Sequence, residues 1–237
     1  MKVSLYMRRM SSMFFRKSLQ SKPKLIAYEQ PQSVLAEQYR NIRTNIQFAS
    51  IDQKIRSLVV TSANPGEGKT TTTANLAVAF AQQGEKILLV DADLRKPVLH
   101  QLFQVDSVFG LTNVLSRQRT LQECIAKTNI ENVHLLPCGP IPPNPAELLS
   151  SAVMGELLKE AEKHYDLILF DTPPVLAVTD AQVVANQCQG TILVLCSGKT
   201  EKEQALKAKN VLQHTNTALL GVVLNAKPQS EHTYGYY

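Results

Sequence analysis

The run Leu58-Val59-Val60-Thr61-Ser62-Ala63-Asn64-Pro65-Gly66-Glu67-Gly68-Lys69-Thr70 decides how the rest of the chain is read. Leu58 to Thr61 reads as a strand and Thr71 to Gln82 as a helix, so Ala63 to Thr70 turns a strand into a helix. Glycines at 66 and 68 let the backbone curl until its N–H groups converge, and the helix N-terminus behind them favours negative charge. This is the context of a phosphate-binding loop, in which Lys69 reaches the β- and γ-phosphates of a nucleotide and the Thr70 hydroxyl ligates Mg²⁺. Pro65, Gly66, Glu67, Gly68, Lys69, Thr70 and Thr71 are the expected nucleotide-binding residues. Ala63 stands where the motif opens with glycine, a small change.

Outward from the loop, short β-branched or Leu-rich runs recur at Lys86 to Asp91, Val133 to Leu136, Leu167 to Asp171, Thr191 to Cys196 and Leu219 to Asn225. Helical stretches alternate with them. Several runs are apolar at successive positions, as a strand covered on both faces must be. The expected fold is α/β: a P-loop NTPase with a mainly parallel sheet wrapped by helices on both faces. Two strands end in acids, Ile87-Leu88-Leu89-Val90-Asp91-Ala92-Asp93-Leu94-Arg95 and Leu167-Ile168-Leu169-Phe170-Asp171. Ligands of parallel sheets lie at the carboxyl ends of strands, so Asp91, Asp93 and Asp171 share the rim of the phosphate loop. Phosphoryl transfer needs oxygen ligands for Mg²⁺ and a group that orients the nucleophile.

The 237 residues, 44% hydrophobic, suit one sizeable domain. Seven basic residues and no acidic one lie between Met1 and Tyr28, and the remaining 18 basic and 20 acidic residues leave the rest at −2. The net charge of +5 is thus a property of an N-terminal arm, which suits an anionic surface better than DNA reading. The apolar stretches are too short for a transmembrane helix, and no secretory signal opens the chain, so a cytoplasmic protein is expected. Cys124, Cys138, Cys188 and Cys196 are spaced too widely for CxxC pairs and read as small buried hydrophobes. The five histidines form no HExxH or comparable cluster.

Ser33 to Ser50 carries Leu35, Tyr39, Ile42 and Ile46 at helical spacing, with Ser33 as cap. Pro137 to Pro145 holds five prolines and reads as a stiff connection into a helix from about Ala146. Lys227 to Tyr237 has no periodicity and reads as a mobile tail, yet it holds Tyr234, Tyr236 and Tyr237. Asn225, at the end of the last strand, reads equally as an adenine contact or a turn residue.

Together these residues resemble the bacterial tyrosine kinases that serve capsular and exopolysaccharide export, over nearly the whole chain from about Pro31. The resemblance rests on the phosphate loop, Asp91 and Asp93 as the DxD element, Asp171 as the Walker B acid and the terminal tyrosines. Glu37-x-x-Arg40-x-x-Arg43 also looks like the ExxRxxR motif through which family members form rings. It implies a basic arm over 1–30, a kinase domain over 31–226 that includes the oligomerisation helix, and a tyrosine-rich tail over 227–237. It further implies ATP and Mg²⁺ as cofactors, with Lys69 on the phosphates and Thr70, Asp91 and Asp171 on the metal. Asp91 is expected as the base for the incoming tyrosine hydroxyl, with Asp93 second. Tyr234, Tyr236 and Tyr237 are expected to be phosphorylated between subunits of a ring. Expected partners are the cytoplasmic segment of a membrane polysaccharide co-polymerase, other tyrosine-containing proteins and the inner leaflet, but no nucleic acid.

The rival readings share the fold. A positioning ATPase of the MinD or ParA type carries an extra lysine early in the phosphate loop, where this chain has Asn64. An iron–sulfur carrier needs paired cysteines that Cys188 and Cys196 do not provide. A non-catalytic, nucleotide-gated assembly protein would use the same binding residues.

Overall fold

The computed structural model describes residues 24–49 and 54–227. In chain order they form α1 (Ile26–Glu29), α2 (Val34–Phe48), β1 (Ser57–Ser62), α3 (Lys69–Ala81), β2 (Ile87–Asp91) and α4 (Leu99–Phe103). Next come α5 (Leu111–Leu115), α6 (Leu121–Cys124), β3 (Ala126–Lys127), β4 (Val133–Leu136), α7 (Pro145–Leu149) and α8 (Ala152–Ala161). The last five are β5 (Leu167–Asp171), α9 (Asp180–Ala185), β6 (Gly190–Cys196), α10 (Lys202–Gln213) and β7 (Ala218–Asn225). The strands make one seven-stranded sheet in the order β3-β4-β2-β5-β1-β6-β7. All neighbours run parallel except β3 against β4. The parallel α/β sheet expected from the apolar runs is what forms, and the two-residue β3 is the strand that periodicity missed.

β1, β2 and β5 are buried along their whole length. Because side chains alternate across a strand, their two sets enter two cores. Val59, Leu88, Val90, Ile168 and Phe170 pack with α5, α6, α8 and α9, while Leu58, Ile87, Leu89, Leu167 and Leu169 pack with α2 and α3. Phe170 is fully buried; its truncation to alanine costs about 3–5 kcal/mol through lost burial and the cavity left behind. Helix α2 starts where Ser33 accepts a hydrogen bond from the Ala36 N–H at 3.1 Å, as its sequence predicts. At the far edge β7 has one uncovered side, where Val222 and Leu224 are half exposed.

The folded body starts earlier than the boundary expected at residue 31. Leu25 and Ala27 are buried against α3, where Asn75 accepts the Ala27 N–H at 2.9 Å and donates to the Lys24 carbonyl at 2.9 Å. Two apolar side chains one residue apart give no periodicity to read, so the basic composition of the arm masked them. The rest of the arm and residues 228–237 lie outside the described residues.

Candidate active site

β1 delivers the chain to the phosphate loop; β5 pairs beside it and β2 pairs beside β5, so that Asp91 lies in register with Asp171. Gly68, the residue before α3, has φ 91° and Gly66 has φ 73°, values that side chains with a Cβ reach only with strain. The first N–H groups of α3 have no partner within the helix, an arrangement that suits a bound anion.

The back of the loop is laced to distant elements. The buried Glu67 carboxylate accepts hydrogen bonds from the Asn64 N–H at 3.0 Å, the Asn64 amide at 3.1 Å and the Thr200 hydroxyl at 2.6 Å. Asn64 also donates to Gln204 at 2.8 Å, and Lys199 Nζ donates to the carbonyls of Gly66 and Pro65 at 3.3 and 3.4 Å. Asn225 donates its amide to the Glu67 carbonyl at 2.9 Å. Of the expected nucleotide residues, Glu67 therefore spends its carboxylate on the loop itself. Pro65 has no N–H to offer, and Asn225 holds the loop with part of its amide.

In front, Lys69 Nζ lies 2.9 Å from Asp93 Oδ2 and 3.5 Å from Asp171 Oδ1, and donates to Thr70 Oγ1 at 3.2 Å. The Thr70 hydroxyl donates to Asp171 Oδ2 at 2.6 Å. Asp91 faces another way: its Oδ2 accepts the N–H groups of Val98 and Leu99 at 3.1 and 3.0 Å. Its Oδ1 is buried with no partner among the described residues. Asp93 Oδ1 accepts the Lys96 N–H at 3.0 Å. The sequence thus brings Lys69, Thr70, Asp93 and Asp171 together as expected, while Asp91 is sealed behind them.

Three carboxyls meet one ammonium here. Burial pulls Lys69 down, but the charges of Asp171 and Asp93 overcome it and hold the ammonium above its ordinary value. Burial, and then the charge of Asp171, pushes Asp91 up to about 8. Asp171 is raised by burial against the pull of Lys69. Asp91, unlike Asp93 and Asp171, has no cation in hydrogen-bond contact. The Thr70 hydroxyl, the Asp171 carboxylate and the orphaned Asp91 Oδ1 are hard oxygen ligands that suit Mg²⁺ chemically.

Sequence reading missed what holds these groups. Arg95 forks onto Asp180, Nε to Oδ2 at 2.8 Å and Nη2 to Oδ1 at 3.1 Å. Asp180 carried no signal in the sequence. Glu37 and Arg40 form an exposed ion pair at 2.7 Å on α2, and Arg40 also donates to the Pro31 carbonyl. Arg43, expected with Glu37 and Arg40 at a ring interface, is instead buried and donates to the Ala79 carbonyl at 2.6 Å. The cause is the end of α3, whose last carbonyls lack helical partners and take a cation well. Cys124, Cys138 and Cys188 are buried free thiols and Cys196 is half-buried. Among the described residues, no helix is long and apolar enough to cross a membrane. Tyr234, Tyr236 and Tyr237 lie outside the described residues.

Residues 55–197 match the AAA domain family. The chain is 54% identical to the tyrosine-protein kinase YwqD of Bacillus subtilis, over 90% of each chain. Among solved structures it resembles the chimerical protein CapA2B2, with a TM-score of 0.84 and 43% identity over 86% of this chain and 90% of that one. It likewise resembles the kinase domain of Escherichia coli tyrosine kinase ETK, with a TM-score of 0.82 and 33% identity over 90% and 84%. Likeness to the septum site-determining protein MinD of Pyrococcus horikoshii, a complex with Mg-ADP, is lower, with a TM-score of 0.64 over 74% and 72%, and does not favour the positioning-ATPase reading. With a phosphate loop, three strand-end carboxylates and this similarity over nine-tenths of its length, the chain belongs to the bacterial tyrosine-protein kinases.

Proposed function

We propose that the chain transfers the γ-phosphoryl group of ATP to Tyr234, Tyr236 and Tyr237 of another copy of itself, and that this cycle regulates capsular or exopolysaccharide synthesis. The observation that carries the reading is the convergence of Lys69, Asp93, Asp171 and Thr70 within 3.5 Å contacts at the carboxyl edge of β1, β2 and β5. Lys69 turns from the acids to the nucleotide phosphates. Thr70 and Asp171 would hold Mg²⁺, with Asp91 Oδ1 as a further oxygen near them, and the metal would neutralise phosphate charge. The acceptor phenol forms its bond to phosphorus as the bond to the ADP oxygen breaks, and its proton passes to a carboxylate. A phenol with a pKa near ~10 needs such an acceptor at neutral pH. Geometry favours Asp93 for this role over Asp91, which was the first expectation. Asp93 lies beside Lys69, whereas the Asp91 side chain is sealed and spends Oδ2 on α4.

The tail from Asn225 to Tyr237 spans at most about 40 Å when extended, enough to leave its own domain edge. A ring that offers Glu37 and Arg40 at its interface, with Arg43 fixing α2 from behind, brings the tail of one subunit to the site of the next. Each phosphate adds about −1.5 to −2 charge beside bound ATP, so modification loosens the ring. We place the protein in the cytoplasm. There the cytoplasmic segment of a membrane co-polymerase would activate it, its basic arm would touch the inner leaflet, and other tyrosine-containing proteins would serve as further substrates.

The test is intact-mass and peptide mass spectrometry after incubation with Mg²⁺-ATP, beside Lys69→Met. Phosphate on the terminal tyrosines of the wild type alone supports the kinase. ATP hydrolysis without phosphotyrosine, even with the co-polymerase segment added, would replace it with a nucleotide-gated assembly ATPase.

A further inference from the structure

The acid loop, residues 92–98, carries Asp93 and is anchored at its ends and by two buried side chains, Ala92 and Leu94. Ala92 N–H reaches the Asp171 carbonyl at 2.9 Å, the Lys96 and Val98 N–H groups go to Asp93 and Asp91, and the Val98 carbonyl accepts from Gln101 and Leu102. Asp93 Oδ2 has Lys69 as its cation at 2.9 Å. In the proposed reaction Lys69 leaves that position for the phosphates. The Lys96 N–H on Asp93 Oδ1 and the buried Leu94 remain, and neither ties this loop to the one that follows Asp171.

Arg95 is two residues on. It is 42% exposed, while Asp180, its partner, is 0% exposed at the start of α9. Both nitrogens of one guanidinium edge engage both carboxylate oxygens, the geometry that fixes orientation as well as distance. Asp180 ends the segment that leaves β5 after Asp171, whose Thr172 and Val175 are fastened to β1 through Val60 and Ser62. The clasp therefore ties the loop bearing Asp93 to the loop following Asp171, and it survives the departure of Lys69.

We propose that Arg95, held by Asp180, is a positioning residue for phosphoryl transfer: it keeps the Asp93 carboxylate in register with Asp171 and the nucleotide once Lys69 has turned to the phosphates. The proposal rests on the kinase reading above. It assigns the pair no contact with nucleotide, so the two should separate in kinetics.

The experiment compares wild type, Arg95→Ala, Arg95→Lys and Asp180→Asn in full-length protein. It reads tail phosphorylation at saturating Mg²⁺-ATP, the Kd of a fluorescent ADP analogue, and thermal melting. Arg95→Ala is expected to lower the transfer rate about ten- to a hundredfold, as a misplaced group does, with the ADP Kd unchanged within about threefold. Arg95→Lys, which keeps the charge but not the fork, should lie between, and Asp180→Asn should follow Arg95→Ala. Transfer at the wild-type rate by folded Arg95→Ala overturns the proposal. So does a Kd that weakens in step with the rate, which would make the pair a general structural support. Should Arg95→Ala not fold, Arg95→Lys decides on the same criteria. If wild type itself transfers no phosphate, the kinase reading has failed and not the clasp.

Discussion

The phosphate loop and the acid loop lie side by side at the carboxyl edge of the sheet and are secured in opposite ways. The phosphate loop is held from behind by side chains of the β6–α10 connection, α10 and β7, so the groups that face phosphate carry no structural duty. The acid loop draws its local hydrogen bonds from the acids themselves, with Asp91 capping α4 and Asp93 gripping Lys96, beside the Arg95–Asp180 clasp and the buried Leu94. Separate supports let a loop keep its shape whether or not ligand is present. Acids with two employers tie catalysis to folding, so substitutions there should change both.

The largest break in this comparison should come from Lys69→Met, which removes the ammonium facing Asp93 and Asp171. We expect phosphotyrosine formation to fall about a thousandfold or more, measured by quantitative mass spectrometry. Next, Asp93→Ala should cost about a hundredfold in the rate of transfer, in keeping with general-base contributions. Asp91→Asn, still able to accept from Val98 and Leu99, should cost less under the same assay. If Asp91→Asn is the more damaged of the two, the roles given to the acids are reversed.

A milder effect is expected from Thr200→Val, which takes one hydrogen bond from the buried Glu67 carboxylate. A loss of about 1–3 kcal/mol should appear as weaker nucleotide binding by calorimetry, with the transfer rate at saturation little changed. A last effect falls on stability and not on the transfer rate, as a pH dependence. Asp91 sits at about 8 in the fold against an ordinary 3.8, so the folded state keeps a proton there that the unfolded chain releases. Its stabilising contribution is complete at the acid end of that window and is lost as pH rises through about 8. In metal-free buffer the melting temperature of Asp91→Asn should gain on the wild type from pH 5 to pH 8 and hold its lead above. A constant difference across that range would show that Asp91 is not the acid that keeps the proton.

The phosphate loop and the strand-end acids were legible in the sequence because each is contiguous: a strand, a turn and a helix start, or a strand and its last residue. The strands themselves were readable where both faces are covered, as in β1, β2 and β5. What was not legible joins distant residues. Arg95 and Asp180 are 85 positions apart, and Glu67 and Thr200 are 133 apart; neither pair has a local signal. Arg43 misled because i, i+3 spacing places a residue on a helix face without saying whether another helix end covers that face. β3 was too short for its alternation to register.

One contact also limits how this sequence can change over time. A methyl group at position 68 would meet the Asn225 side-chain nitrogen at 2.1 Å, on a backbone held at φ 91°. The glycine thus answers to two independent demands, one of conformation and one of space. Replacing Asn225 with a smaller residue would lift the second and leave the first, so the two positions are not exchangeable in either order. A lineage can lose Asn225 and keep Gly68, but a change at Gly68 comes at the expense of both the turn and its brace. Sequence drift in this fold should therefore reach the end of β7 well before it reaches the second glycine of the loop.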